Sequence, residues 1–599
     1  MVVILALSGF PPYDPAMPKM IRVAAVCPLL LWACSTSTPR PAYRIVQTVE
    51  ERAYTEAHAT HAMVSTQGRA TTQAALTILK QGGTAMDAAI ATSFAIGVER
   101  PQSTGVGGGG FLLFRDGKTK KIYAVDYRER APLRATRDMY LDAHGNVIAD
   151  ASTDGIRAVA VPGLMAGLLE LHARFGTLPL KTLLLPAIQL AEQGFPVYPQ
   201  LAESMESQKA VLGAFPASKA IFLHPDGTPY QIGQLLVQPE LGRTLRRLAD
   251  TAKPQAELRK IEQEIVTATH KMGGLLRMAD FDRYHVNWRT PITGSFTARG
   301  KSYAVVSMPP PSSGGTHVIE ILNILENDHL FTQGFQSAVG IHEFASAEQL
   351  AFADRAEYMG DPDFYPVPAK QLASKEYADR QHARIRPDRH TPSAAIKAGQ
   401  LPKPESDSTS HFSIMDDQGN VVSSTQTING PFGSGVTVPG LGIVLNDEMD
   451  DFSVKPGVAN MFGAIGGDAN AIAPGKTPLS SMSPTIILDG ERPILAVGAR
   501  GGTRIISCVA ETILNYLEYG LPLYDSANAI RVHHQWQPDV LSIDSPGPSP
   551  VVIERLKAMG YTLEIKPNAV GCKIAAVAWE TVGFVGSSDP VDHGSSAGL

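Results

Sequence analysis

Hydrophobic and polar positions alternate along two short runs in the last third of the chain, residues 409–415 and 421–428, with the polar turn Asp416-Asp417-Gln418-Gly419-Asn420 between them. A period of two, bounded by a Gly-containing turn, reads as a β-hairpin. If its strands pair symmetrically about the turn, Thr409 faces Thr427, because opposed residues of an antiparallel pair keep a constant index sum. Strand patterns return at 483–488 and 493–498 around Asp489-Gly490, and at 561–566 and 573–578. Upstream the period is helical from Met63: residues 71–81 stop at Gly82-Gly83, and Thr84 caps a second helix that runs to Val98. Strands at 111–115 and 121–127 follow the glycine run 105–110. Residues 155–275 and 335–395 read mainly as helices, among them 164–175, 180–193 with an interruption expected near Pro186, and 341–359. Further helices are expected at 316–326, 503–518 and 551–559. This order suits a layered α/β architecture with two central sheets.

Residues 41–60 read as a polar linker. Residues 390–408 are polar and contain Pro392, Pro402 and Pro404, which suits an exposed cleavage loop. At the start, a basic segment at 17–22 precedes the apolar stretch 23–33, too short to span a bilayer and of the length of a signal segment. It ends Leu31-Trp32-Ala33-Cys34-Ser35, which resembles a bacterial lipoprotein box with Cys34 as the lipid site; a plain secretory signal cut nearby is the other reading. Both export the protein to the periplasm, the first with membrane attachment. Residues 1–16 read as an upstream extension, and residues 1–40 are kept apart from the fold.

Composition changes this picture little. With 599 residues, 44% hydrophobic and 18% charged, the chain has ordinary globular composition, and a formal net charge of -6 gives no basic field for nucleic acid. Cys508 is read in a helix and Cys572 in a strand; a disulfide between them is left open. No cysteine or histidine spacing forms a metal pattern: His58 and His61 lack a third ligand, His533-His534 sit in a turn-rich stretch, and His411 is read as structural.

The candidate chemistry gathers at element ends. A hydroxyl opening a strand with a second beside it, Thr409 with Thr427, suggests a threonine nucleophile whose base is its own freed α-amine, which requires a cut before Thr409. Asn429 follows Thr427, and Asn446-Asp447-Glu448-Met449-Asp450-Asp451-Phe452 is an acidic turn. Pro478-Leu479-Ser480-Ser481 is a hydroxyl-rich turn, and Gly501-Gly502 offers backbone N–H groups at a helix start, a natural oxyanion hole. The glycine run 105–110 leads into a strand and so fails as a phosphate loop; close backbone packing explains it better.

Together these blocks resemble the γ-glutamyltranspeptidase (glutathione hydrolase) family of N-terminal-nucleophile hydrolases. The resemblance runs from Met63 to Ser587-Ser588-Asp589-Pro590 and is carried by Asp87-Ala88-Ala89, Pro101-Gln102, 107–111, Asp126-Tyr127-Arg128-Glu129, 308–315, Ala353-Asp354-Arg355, 409–413, 446–457, 478–485 and 501–505. It implies a four-layer αββα sandwich. It also implies self-cleavage between Ser408 and Thr409 into a large chain (41–408) and a small chain (409–599) that stay together as one intertwined unit. Thr409 then matches the nucleophile and Thr427 its partner, with Gly501 and Gly502 as oxyanion donors. Arg128, Ser480 and Ser481 match ligands of the donor's α-carboxylate; Asn429, Glu448 and Asp451 match ligands of its α-ammonium. The implied substrates are glutathione and related γ-glutamyl donors, with water or an amino-acid or peptide amine as acceptor, and no metal or organic cofactor is needed. Residues 453–477 resemble a lid loop, with Phe462 where several bacterial members have Tyr. A Phe cannot donate a phenolic hydrogen bond, so the lid is expected to latch less firmly, read as more hydrolysis relative to transfer. Two other readings stay open: a different acyl donor, as in the cephalosporin and glutaryl acylases among the family's relatives, and an uncleaved, silent binding or scaffold protein.

Overall fold

The computed structural model describes residues 49–399, 410–455, 458, 460, 461 and 467–599. Residues 1–48, which hold the expected leader and Cys34, lie outside the described residues, as do Ser408, Thr409 and Phe462. Fourteen strands of the described residues build two sheets. They are β1 Glu56–Ala59, β2 Ala62–Thr66, β3 Gly109–Arg115, β4 Ile122–Asp126, β5 Asn287–Arg289, β6 Ile292–Ala298 and β7 Lys301–Ser307, followed by β8 Ser410–Asp416, β9 Val421–Thr427, β10 Thr485–Asp489, β11 Arg492–Arg500, β12 Lys573–Glu580, β13 Gly583–Ser588 and β14 Ser595–Gly598. One sheet has the order β1-β13-β12-β11-β10-β7-β6 and the other β14-β2-β8-β9-β3-β4-β5.

The sheets face each other, and period-two alternation sorts their side chains. Phe111 and Leu113 of β3, Met415 of β8, Val421 of β9, Ile486 of β10, Ala496 of β11 and Phe584 of β13 meet in the inter-sheet core. Each large apolar side chain buried there contributes about 1.5–3 kcal/mol. Helices cover the outer faces. On the β8–β9 sheet lie α1 Arg69–Lys80 and α2 Ala85–Glu99. The latter is opened by a capping box in which Thr84 and Asp87 exchange hydrogen bonds, worth about 1 kcal/mol. Next in the chain come α3 Leu164–Phe175 and α4 Leu180–Gln193, packed beyond α2. The other sheet is covered by α5 Gly314–Leu325 and α7 Arg504–Ile513, with α6 Ala338–Tyr358 packed on α5. The layers are therefore αββα, as expected.

Four local expectations fail. Residues 41–60 are not all linker: Val49–Thr55 is a helix, and β1 pairs with β13. Residues 62–66, read as entering a helical pattern, form β2, whose positions are all buried, so no alternation is visible. The helix α4 passes through Pro186 without a break. An interior proline costs about 3 kcal/mol, but Leu183, Leu184, Ala187, Ile188 and Ala191 are buried on that helix, and their packing outweighs it. Finally, Cys572 precedes β12 rather than lying within it, and it is disulfide-bonded to Cys508 of α7.

Candidate active site

The hairpin β8–β9 has the register its turn implies: Ser410 stands opposite Gln426 and His411 opposite Thr425. Thr427 closes β9 opposite Gly109 of β3. It lies on the same strand face as Ser423, whose hydroxyl donates to the Val497 carbonyl of the facing sheet at 3.2 Å. Its own hydroxyl accepts the Asn429 N–H at 2.7 Å. Asn429 has φ 72°, and its side-chain amide donates to the Asp447 carbonyl at 3.2 Å, tying the strand end to the acidic turn. The glycine run presses on this corner, since a Cβ on Gly108 would overlap the Thr427 carbonyl oxygen.

The start of β8 crosses the end of β11. The His411 ring hydrogen-bonds the Thr425 hydroxyl at 2.9 Å and the Ser413 hydroxyl at 3.0 Å, and lies on Gly498, where a Cβ would strike it. Burial pushes this imidazole down to about 3, so at neutral pH it is an uncharged strut between the sheets. Three and four residues beyond Gly498 come Gly501 and Gly502, with φ 135° and 65°, which L side chains rarely adopt. A Cβ on Gly501 would also sit 2.7 Å from the Cys572 Cα. They lead into α7 at Arg504, so the pair stands at a helix N-terminus, as expected.

Arg128 follows β4 and is fully buried among three carboxylates. Its Nη1 lies 2.6 Å from Glu448 Oε1 and 3.9 Å from Glu129 Oε2, and its Nη2 pairs with Asp451. Nε donates to the Pro478 carbonyl at 3.0 Å and Nη2 to the Leu479 carbonyl at 2.9 Å, which fixes the turn carrying Ser480 and Ser481. Burial works against the guanidinium charge, but Glu448 and Asp451 hold it protonated. Burial, and then the neighbouring Glu448, push the Glu129 carboxyl well above the usual range. Burial also raises Glu448 against the pull of Arg128. Neither Glu448 oxygen has a well-aligned hydrogen-bond donor among the described residues, although Arg128, Glu129 and Asp451 all lie against this carboxyl. A buried cluster with acid in excess and open acceptors fits an added ammonium group.

The turns Glu448–Asp451 and 478–483 are buried, not solvated. The Ser481 hydroxyl accepts from Arg355 Nη2 at 3.0 Å, and the Ser480 hydroxyl from the Met482 N–H at 3.1 Å, so both are held by protein partners. Arg355 Nε also donates to the Ser313 hydroxyl at 3.0 Å. Beside Asp451 the base of the expected lid is closed: the Ser453 N–H donates to the Asn470 carbonyl at 3.0 Å, and the Asn470 amide to the Asp451 carbonyl at 2.6 Å. Arg128, Glu448 and Asp451 thus meet directly. Asn429 joins them through the acidic turn, Ser480 and Ser481 through the 478–479 carbonyls, and Gly501-Gly502 stands on the facing sheet. Sequence reasoning gave no role to Glu129 or Arg355. Their signal was a charged residue inside an otherwise buried stretch.

The chain is similar to known proteins over most of its length. Residues 71–599 match the family model described as gamma-glutamyltranspeptidase. The chain is 40% identical over 575 residues to the glutathione hydrolase proenzyme of Escherichia coli (strain K12), covering 96% of this chain and 98% of that one. It is 41% identical over 522 residues to the glutathione hydrolase proenzyme of Pseudomonas aeruginosa, covering 86% and 91%. Among solved structures, the cephalosporin acylase from Bacillus halodurans superimposes with a TM-score of 0.79 at 27% identity, covering 95% of this chain and 100% of that one.

Proposed function

The chain belongs to the gamma-glutamyltranspeptidase family, and from that premise we propose how its residues carry the family's reaction. The enzyme is a self-processing γ-glutamyl hydrolase and transpeptidase acting on glutathione, and it works as two chains cut from one precursor. In our reading the cut falls between Ser408 and Thr409. The Thr409 hydroxyl attacks the Ser408 carbonyl, the amide C–N bond breaks to leave an ester and a free Thr409 α-amine, and water then cleaves the ester to release the Ser408 carboxylate and restore the Thr409 hydroxyl. In turnover that amine takes the hydroxyl proton as Thr409 Oγ attacks the γ-glutamyl carbonyl. The N–H groups of Gly501 and Gly502 receive the oxyanion. The C–N bond breaks, and the ammonium returns its proton to the leaving amine. Water or an amino-acid amine then attacks the ester, and Thr409 is restored. Thr427 assists the nucleophile.

The buried cluster of Arg128 with Glu448 and Asp451 is the observation that carries this reading. A γ-glutamyl donor presents a zwitterion at its far end. An Arg with Ser480 and Ser481 suits the carboxylate; Glu448, Asp451 and Asn429 suit the ammonium. A glutaryl donor has no ammonium and would leave the negative charge that Arg128 does not balance without a counter-ion. The leader at 17–34 supports export with lipid at Cys34, and the Cys508–Cys572 disulfide supports an oxidising compartment.

Intact mass and N-terminal sequence of the purified protein test both parts. A small chain beginning at Thr409, absent in Thr409→Ala together with activity on glutathione, is expected, as is a lipid-sized mass on Cys34. A processed, active Thr409→Ala protein would refute the nucleophile, and an unmodified Cys34 in membrane-extracted protein would refute the anchor.

A further inference from the structure

Well apart in sequence from the γ-glutamyl cluster, three side chains converge that no sequence spacing connects. His390 Nε2 lies 3.0 Å from Asp539 Oδ1, and His534 Nε2 lies 3.2 Å from the same oxygen. The three atoms available as ligands all fall within 4.8 Å of one another. His390 and His534 are buried, whereas the Asp539 side chain is 37% exposed, which leaves a path from solvent.

The Asp539 carboxylate and the backbone of both histidines are held in place. The second Asp539 oxygen accepts the Ser393 N–H at 2.9 Å. The backbone N–H of His390 donates to the Met559 carbonyl at 2.7 Å, and the backbone N–H of His534 to Glu348 Oε2 at 3.0 Å. The Tyr561 ring packs against His390 with centroids 4.4 Å apart.

We propose that His390, His534 and Asp539 form a binding site for a divalent transition-metal cation of the zinc class. Two imidazoles and one carboxylate are the donor set such ions favour. A tetrahedral ion with ligands at about 2.0–2.2 Å separates them by about 3.3–3.5 Å, so the 3.0 and 3.2 Å spacings need to open by only a few tenths of an ångström. The exposed side of Asp539 would let water reach the ion as a further ligand. The Ser393 N–H on the far carboxylate oxygen supplies the outer-shell bond that ligating carboxylates usually have.

The site also has a place in the processed enzyme. His390 lies upstream of residues 400–409, and His534 and Asp539 lie downstream. The segment after His390 is docked by the Trp536 Nε1–H, which donates to the carbonyls of Ser393 and Ile396 at 3.1 Å each. The ion would therefore clip the new end of the large chain to the small chain. That role rests on cleavage at Ser408–Thr409; metal binding does not.

The experiment uses the purified full-length protein, stripped with chelator and titrated with Zn²⁺ by calorimetry, and with Co²⁺ by absorption. One equivalent of zinc per chain is expected, with a Co²⁺ ligand-field spectrum of a low-coordinate nitrogen and oxygen site. His390→Ala and Asp539→Asn should each weaken binding by about ten-fold or more, and zinc should raise the melting temperature of the parent but not of these variants. Absence of stoichiometric zinc and of a Co²⁺ spectrum in the parent would overturn the site, whatever the variants do. So would binding that survives His390→Ala, or that is lost instead in His382→Ala at the separate Asp328–Glu343–His382 cluster. Zinc binding to a chain that mass spectrometry shows uncut would keep the site and remove only the clip.

Discussion

Glu448 lies 2.6 Å from the Arg128 guanidinium, yet neither of its oxygens has a well-aligned hydrogen-bond donor among the described residues. Glu448→Gln keeps the shape and removes the charge. A hydrogen bond to a charged group is worth about 1.5–3 kcal/mol, so kcat/KM for a γ-glutamyl donor should fall about ten- to hundred-fold, mainly through KM. Self-cleavage, which involves no free donor, should proceed as before. Steady-state kinetics on paired donors with and without the α-amino group is the check: equal losses on both would mean Glu448 does not hold the ammonium. At this scale the sequence was informative where residue type and chemistry coincide, as for Arg128 and the acidic turn. It was silent on Glu129 and Arg355, because a charged letter in a sequence does not say whether water or another charge will surround it.

At the scale of elements, the disulfide joins the helix that begins after Gly501-Gly502 to the segment entering β12. Gly501 itself packs on the Cys572 backbone. The bond closes a sequence separation of 64 residues, and a loop of that size is worth about 2–4 kcal/mol. The double variant Cys508→Ala, Cys572→Ala should lose about that much in denaturant unfolding and should turn over more slowly, since the glycine pair loses its backing. Reductant should reproduce the loss in the parent and leave the variant unchanged; a parent indifferent to reductant would contradict the brace. Helices α2, α3 and the hairpin were legible because caps, periodicity and turn residues are local signals. β2 and the hairpin β6–β7 were not, one because it is buried on every position, the other because its turn is Arg299-Gly300 without the usual Asn or Asp.

For the whole molecule, the order β14-β2-β8-β9-β3-β4-β5 interleaves strands from before and after residue 408, with β2 between β14 and β8 and the pair β8–β9 between β2 and β3. The strand β8 pairs with β2 on one side and β9 on the other, and β9 pairs with β3. A cut between 408 and 409 breaks none of these ladders, and both sheets share one apolar core. The two chains should therefore co-elute in size-exclusion chromatography, in high salt as in low, and separate only in denaturant. Dissociation on simple dilution would show that the core does not hold them.

The sequence alone determined the family resemblance, the hairpin with its register, the glycine pair before α7 and the αββα order, because each depends on neighbours within a few residues or on motifs kept in line. Only the tertiary structure decided that helix α4 runs through Pro186, that Cys508 and Cys572 pair, that Arg128 is enclosed by three carboxylates, and that His390 meets His534 and Asp539. Those outcomes depend on burial and on contacts between segments far apart in the chain, such as Arg128 and Asp451, 323 residues apart. Desolvation and close packing act through space, and a linear pattern carries no record of which distant groups will share it.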